Sequence, residues 1–205
     1  MKYEICNIND FDEQQYAQMY RAADAERRAR ADRFRYEDDR RRCLCADMLA
    51  RRMLAKASGK APEIAFTIGH KGKPSANMPL YFNVSHSGNY VLCAVSDKPI
   101  GVDIEQIKPF RTGMVARYFT KDEAAYIWSG ATPATETVTD PEICTRFYRT
   151  WTAKESYVKM TGTGISTDLG AVAFDPEAHT VCALPLLTPD APDGYAASII
   201  ESDLC

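Results

Sequence analysis

The chain has 205 residues, 45% of them hydrophobic, and a formal net charge of −3. This is enough for one large domain or two small ones around a sizeable core, and it excludes a globally disordered chain and a nucleic-acid binder, which needs a strongly basic face. Residues 1–7 lack the apolar stretch of a secretion signal, no apolar run approaches the roughly 20 residues of a membrane span, and the seven cysteines are odd in number and scattered, so a cytoplasmic protein with reduced thiols is expected rather than a disulfide framework or zinc site.

Residues 2–8 read as a first strand. Residues 12–57 are charged and helical in character, with a break near Asp32-Arg33-Phe34. Leu44, Met48, Leu49 and Met53 form an apolar stripe at helical spacing. Ala61-Pro62 opens a new element, residues 64–68 read as a strand, and Gly69-His70-Lys71-Gly72-Lys73-Pro74 as a loop. Strands at 81–85 and 90–96 meet at a tight turn, Ser87-Gly88-Asn89, and Asp97-Lys98-Pro99 leads into a strand over Gly101-Val102-Asp103-Ile104-Glu105. Thr120 and Glu123 have the spacing of a helix N-cap and its N3 partner. Residues 130–141 are rich in Thr, Ala and Pro and read as a mobile loop. A helix over 147–160 stops at Gly162 and Gly164, and short strands are expected at 171–174, 180–184 and 195–200. Arg33-Phe34-Arg35-Tyr36-Glu37-Asp38-Asp39 echoes Arg117-Tyr118-Phe119-Thr120-Lys121-Asp122-Glu123. The pattern predicts an α+β chain of two similar halves, residues 1–100 and 101–205, meeting near residue 100.

Two segments concentrate chemistry. On a strand, Asp103 and Glu105 share one face while Val102 and Ile104 take the other, so two carboxylates backed by apolar neighbours present themselves to a hard cation. On the helix, Glu155 and Lys159 are four apart and share a face. Taken singly, each pair is equally a solvated strand face or a surface helix pair; together they make a site for a metal and a phosphate-bearing substrate. Asn83-Val84-Ser85-His86-Ser87-Gly88 reads either as a satisfied turn or as hydroxyl and imidazole groups meeting a phosphate. Adjacent residues of a strand face opposite ways, so Ser85 and His86 do not form a hydrolase pair. The arginines between 27 and 52 are interleaved with acids and read mostly as a salt-bridged face, with a few left for phosphate; Lys71, Gly72 and Lys73 suit the same task.

Gly-Val-Asp-Ile-Glu at 101–105 followed by Trp-Thr-Ala-Lys-Glu-Ser-Tyr-Val-Lys at 151–159, with Gly-Lys-Pro at 72–74 and Asn-Val-Ser-His-Ser-Gly at 83–88 in the expected order, resembles the 4'-phosphopantetheinyl transferases. The length is similar to the surfactin-synthetase-activating (Sfp-type) branch, whose single chain contains both halves of a pseudo-dimer with the active-site cleft between them. The resemblance runs from about residue 27 to 164 and implies transfer of the phosphopantetheine arm of coenzyme A to a serine of an apo acyl or peptidyl carrier protein, with release of 3',5'-ADP. It implies a Mg2+ ion (or Mn2+) on Asp103, Glu105 and Glu155. Lys159 would contact the coenzyme A phosphates, and Glu155 or a metal-bound water would take the serine proton. Gly72, Lys73 and Pro74 would line the adenine end, Ser85 and His86 would hold phosphate oxygens, and Arg27 and Arg30 would grip the 3'-phosphate. A monomer is expected, with the acidic carrier docking on the basic segment 108–123. Competing readings are a Mg2+-dependent pyrophosphohydrolase of coenzyme A or a related nucleotide, and a non-catalytic scaffold that binds coenzyme A or a carrier.

Overall fold

A computed structural model describes residues 1–59, 63–69, 72–133, 135–164 and 168–202. In chain order the elements are β1 (Lys2–Asn7), α1 (Glu13–Ala22), α2 (Ala25–Asp32), α3 (Glu37–Ser58), β2 (Phe66–Ile68), β3 (Pro74–Ala76), β4 (Tyr81–Ser87), β5 (Tyr90–Ser96), β6 (Ile100–Gln106), β7 (Phe110–Arg111), α4 (Gly113–Tyr118), α5 (Lys121–Trp128), β8 (Thr137–Val138), α6 (Pro141–Thr161), β9 (Phe174–Asp175), β10 (Thr180–Val181), β11 (Leu184–Leu187) and β12 (Tyr195–Glu201).

The chain is mixed α+β, with helices packed on two main antiparallel sheets. The first sheet has the order β1-β5-β4; the second has the order β6-β12-β11-β10-β9. In both, the first strand pairs with the last and the last with the one before it, and a long helix lies between them in sequence: α3 in one, α6 in the other. Leu49, Met53 and Leu54 of α3 pack on Phe82, Val91 and Val95 of the first sheet. Leu92 and Ala94 of β5 meet Val102 and Ile104 of β6 and Ala197 and Ile199 of β12 in a second core that joins the two sheets.

Local chemistry explains where the helices start and stop. The Asp12 side chain accepts from Gln15 N–H and the Gln15 side chain answers to the Asp12 N–H, a reciprocal cap that opens α1. Asp24 caps α2 through the Arg27 N–H. The charged run at 12–57 is thus divided at Ala23–Asp24 as well as at residues 33–36, because an aspartate in mid-run competes for the backbone N–H groups. Thr120 and Glu123 form the expected capping box of α5. Asp140, with Pro141 behind it, starts α6 well before residue 147, and Gly162 ends it at φ 66°.

Several expectations are corrected. The segment 130–141 is not wholly loop, since β8 pairs there with β7. Pro74 opens β3, which pairs with β2, rather than closing a loop. Residues Leu169–Ala171 form a short 3-10 turn, and the strand expected at 180–184 is a hairpin turning at Cys182 and Ala183, both at positive φ (48° and 64°). The expected element start at Ala61-Pro62 lies outside the described residues, as do His70 and Lys71 of the loop. No helix is long and apolar enough to cross a membrane among the described residues, and six cysteines there are free, five of them buried.

Candidate active site

β6 sends Val102 and Ile104 into the shared core, both fully buried. The alternation turns Gly101, Asp103 and Glu105 the other way, toward α6. A Cβ on Gly101 would collide with the Ser156 carbonyl oxygen and the Met160 backbone, so only glycine lets α6 lie this close to the strand. That contact brings the Glu155–Lys159 face of α6 over the acids of β6.

β4 borders β6 without a ladder, and alternate side chains join them instead. The Asn83 Oδ1 accepts the Val102 N–H at 2.9 Å. The Ser85 hydroxyl donates to Asp103 Oδ1 at 2.7 Å, and the Ser87 hydroxyl to Glu105 Oε2 at 2.7 Å. Lys159 Nζ donates to the same Asp103 Oδ1 at 2.6 Å and to Ser85 Oγ at 2.9 Å. Asp103 is 2% exposed, so this lysine faces an acid that is not solvated. The other oxygen, Asp103 Oδ2, is buried and has no hydrogen-bond partner among the described residues.

Three carboxylates and one ammonium leave an excess of negative charge in a desolvated place. Burial pushes the Glu155 carboxyl above its ordinary range, Asp103 pushes it further, and Lys159 opposes the rise. Burial likewise raises Glu105, against the pull of the Ser87 hydrogen bond. An orphaned buried carboxylate oxygen beside two acids with raised pKa values fits a divalent cation. No group of three or more His, Cys, Asp or Glu side chains among the described residues forms a ready-made cage. Mg2+ needs none, because it keeps waters and substrate phosphates in its shell.

Gly72, Lys73 and Pro74 line one wall of a cavity of about 240 Å³ whose other wall includes Glu155 and Lys159. Lys73 itself is turned inward: its Nζ donates to the carbonyls of Met160 (2.8 Å) and Ile100 (3.2 Å), and burial pulls its pKa down to about 8. His86 is exposed on the opposite face of β4 from Ser85. Its pKa is lowered by partial burial first, then by the charges of Arg42, Lys159 and Arg30. Arg30 is exposed beside that corner, whereas the Arg27 guanidinium is engaged internally, 3.3 Å from buried Asp47 and against Cys43 Sγ. The structure thus brings Asp103, Glu105, Glu155, Lys159 and Ser85 into one cluster, with Gly72, Lys73 and Pro74 along its rim and Arg30 and His86 at an adjacent cationic corner.

Three residues escaped the sequence reading. Asn83 and Ser87 join β4 to β6 from positions two residues either side of Ser85, a period-two polar pattern that was legible. Lys154 lies inside the Trp151–Lys159 motif, where its sequence context assigns it no task. It is fully buried, 2.5 Å from the equally buried Glu123, and donates to the Tyr118 carbonyl at 3.1 Å. Glu123 in turn accepts the Phe174 and Thr120 N–H groups, both at 2.8 Å. This pair fastens α5 to the helix that carries Glu155.

Comparison with known proteins identifies the family. The family profile of the 4'-phosphopantetheinyl transferase superfamily matches residues 99–200, and that of the 4'-phosphopantetheinyl transferase N-terminal region matches 11–98. A 4'-phosphopantetheinyl transferase of Bacillus subtilis is 34% identical over 201 residues, covering 91% of this chain and 86% of its own. The 4'-phosphopantetheinyl transferase Sfp of Bacillus subtilis strain 168 is 31% identical over 188 residues (85% and 80%), and the 4'-phosphopantetheinyl transferase HetI of Nostoc is 34% identical over 147 residues (67% and 59%). The chain belongs to the 4'-phosphopantetheinyl transferase superfamily. Within it, the chain is an enzyme of the Sfp branch. The family uses coenzyme A as substrate and acts on carrier proteins.

Proposed function

We propose that this chain moves the 4'-phosphopantetheine arm of coenzyme A onto a serine of an apo acyl or peptidyl carrier protein and releases 3',5'-ADP. The observation that carries the assignment of roles is the cluster itself: Asp103 with a buried, unpartnered Oδ2, two desolvated glutamates and a lysine on one oxygen of the aspartate. Asp103, Glu105 and Glu155 hold Mg2+, or Mn2+ in its place. When bound, the ion screens the pyrophosphate charge and orients its oxygens toward in-line displacement.

The remaining roles belong to the chain. The carrier serine oxygen attacks the β-phosphorus, and the bond from that phosphorus to the ADP oxygen breaks. Glu155, or a water held beside it, takes the serine proton. Lys159 turns from Asp103 to the phosphates as charge grows on the leaving side. Ser85, whose hydroxyl already lies between Lys159 and Asp103, and His86 accompany it on phosphate oxygens. Gly72, Lys73 and Pro74 receive the adenine end. Arg30, with Arg27 behind it, attracts the 3'-phosphate.

The division into residues 1–100 and 101–205 as two halves of a pseudo-dimer, with the cleft along β4, β6 and α6, is supported by the shared strand order of the two sheets. We read the protein as a cytoplasmic monomer with no nucleic-acid role. The carrier approaches over Lys108, Arg111, Arg117 and Lys121, all exposed on the segment that follows β6. Intact-mass measurement of several apo carrier proteins, incubated with enzyme, coenzyme A and Mg2+, tests the reading. A gain of one phosphopantetheine arm is expected. Release of 3',5'-ADP without any gain on the carrier would favour pyrophosphate hydrolysis, and neither change would favour a binding scaffold.

A further inference from the structure

We infer that Ser87 is a positioning residue that presents Glu105 to the divalent cation by occupying one carboxylate oxygen and leaving the other free. The inference rests on the reading of Glu105 as a metal ligand. Ser87 closes β4, and its hydroxyl is used from both sides. Its oxygen accepts the Gln106 N–H at 3.1 Å, and its single proton goes to Glu105 Oε2 at 2.7 Å. The backbone bond fixes the rotamer of the serine, and the serine then fixes the carboxylate. Two residues earlier, Ser85 does the same to Asp103: Oδ1 takes the serine proton and the lysine, and Oδ2 is left buried without a partner.

The repetition gives the arrangement its meaning. A hydroxyl from β4 holds one oxygen of each acid on β6, so each acid offers its second oxygen from a fixed direction. A flexible glutamate left alone could also chelate a cation through both oxygens, a narrow bite that fits an octahedral shell poorly. Mg2+ demands regular octahedral spacing and keeps several waters, so a carboxylate restrained to one available oxygen matches its needs. Hydrogen bonds to ligating carboxylates from neighbouring groups typically contribute about 10–100-fold to metal affinity. Ser87→Ala removes the proton on Oε2 and frees the glutamate, with no change to any group read as a ligand.

Mn2+ serves as the probe, titrated into the full-length protein saturated with coenzyme A and followed by the electron paramagnetic resonance signal of the free ion. Ser87→Ala is expected to weaken Mn2+ by about tenfold and to broaden the bound-ion spectrum. Coenzyme A affinity without metal should stay as in the wild type, and Ser87→Thr, which keeps the hydroxyl, should restore both affinity and spectrum. Glu105→Gln is the control. If it loses Mn2+ while Ser87→Ala binds like the wild type, the positioning role is overturned and the metal reading stands. If Glu105→Gln also binds like the wild type, Glu105 is no ligand and the reading beneath the inference falls.

Discussion

Gly101→Ala tests whether the closeness of α6 to β6 builds the site. The added Cβ would lie 2.9 Å from Met160 Cα, and closer still to the Ser156 oxygen and the Met160 nitrogen, where carbon contacts prefer about 3.5–4.0 Å. The obstacles are backbone atoms of a 21-residue helix, so no side chain can swing aside. The helix must lift by on the order of 1 Å, carrying Glu155 and Lys159 from Asp103. Overpacking of this kind destabilises by about 1–3 kcal/mol, or roughly 2–4 °C of Tm per kcal/mol at this size. A protein of ordinary stability stays folded through that loss. A displacement of about 1 Å at reacting groups is nevertheless enough for a hundredfold loss of rate. The expected result is a kcat about a hundredfold lower, measured with carrier and coenzyme A saturating, in a protein whose circular dichroism is native at the assay temperature. A Gly101→Ala enzyme with wild-type Tm and a kcat within a few-fold of wild type would refute the argument.

Four further outcomes are expected. Asp103→Ala should lose activity through metal binding and recover in part at high Mg2+, whereas Lys159→Ala should lower kcat about a hundredfold, roughly 3 kcal/mol, and bind Mg2+ no more weakly, because it removes the cation that now occupies Asp103; Mg2+ titrations of kcat separate the two, and matching profiles would contradict the roles. Lys154→Met strands a buried carboxylate and should cost about 3–5 kcal/mol in urea unfolding, with Lys154→Met/Glu123→Gln less destabilised than the single variant; a loss under about 1 kcal/mol would mean that the pair does not fasten α5 to α6. Lys73 has a folded pKa of about 8 against 10.5 unfolded, so the unfolded chain holds more protons between those values and stability rises with pH there, by up to about 1.4 kcal/mol per pH unit; the wild type should gain on Lys73→Met between pH 7 and 9.5 in urea titrations, and parallel curves would count against a buried ammonium. Charge reversal at Arg111 and Arg117 should raise KM for the carrier and spare KM for coenzyme A, with the wild-type carrier KM rising with salt; a salt-independent carrier KM would argue for docking elsewhere.

What the sequence disclosed follows from the range of the forces involved. The alternation in Gly101–Glu105, the four-residue spacing of Glu155 and Lys159, the Thr120–Glu123 cap and the glycine stop at 162 are local rules, and the folded chain obeys them. The break at Asp24 is local too, but a charged run masks it. β3, β7 and β8 are too short to show a period of two. The pairing of β6 with β12 closes across the second half of the chain and leaves no local trace. Lys154 was illegible for a different reason. A lysine next to a glutamate on a charged helix reads as solvated surface, and only the arrival of Glu123 from α5 makes its burial tolerable. Arg27 shows the converse: its type suits a phosphate, yet Asp47 engages it first.

The clustered site residues share a location. Neither main sheet contains the site. Ser85 and Ser87 lie on the edge of the first, Asp103 and Glu105 on the edge of the second, and Glu155 and Lys159 on the helix above. Two edge strands side by side would ordinarily pair through their backbones and become one sheet. Here Asn83 accepts the Val102 N–H, Ser87 accepts the Gln106 N–H, and the serine hydroxyls spend their protons on carboxylates. The seam is therefore made of the same hydrogen bonds that orient the acids. A perturbation that loosens the seam reaches the carboxylates directly, so cation affinity should fall before secondary structure does. The motif Asn-Val-Ser-His-Ser has then a structural reason at every second position: each inward residue holds β6, and the outward histidine between the serines faces the cationic corner that includes Arg30 and Arg42.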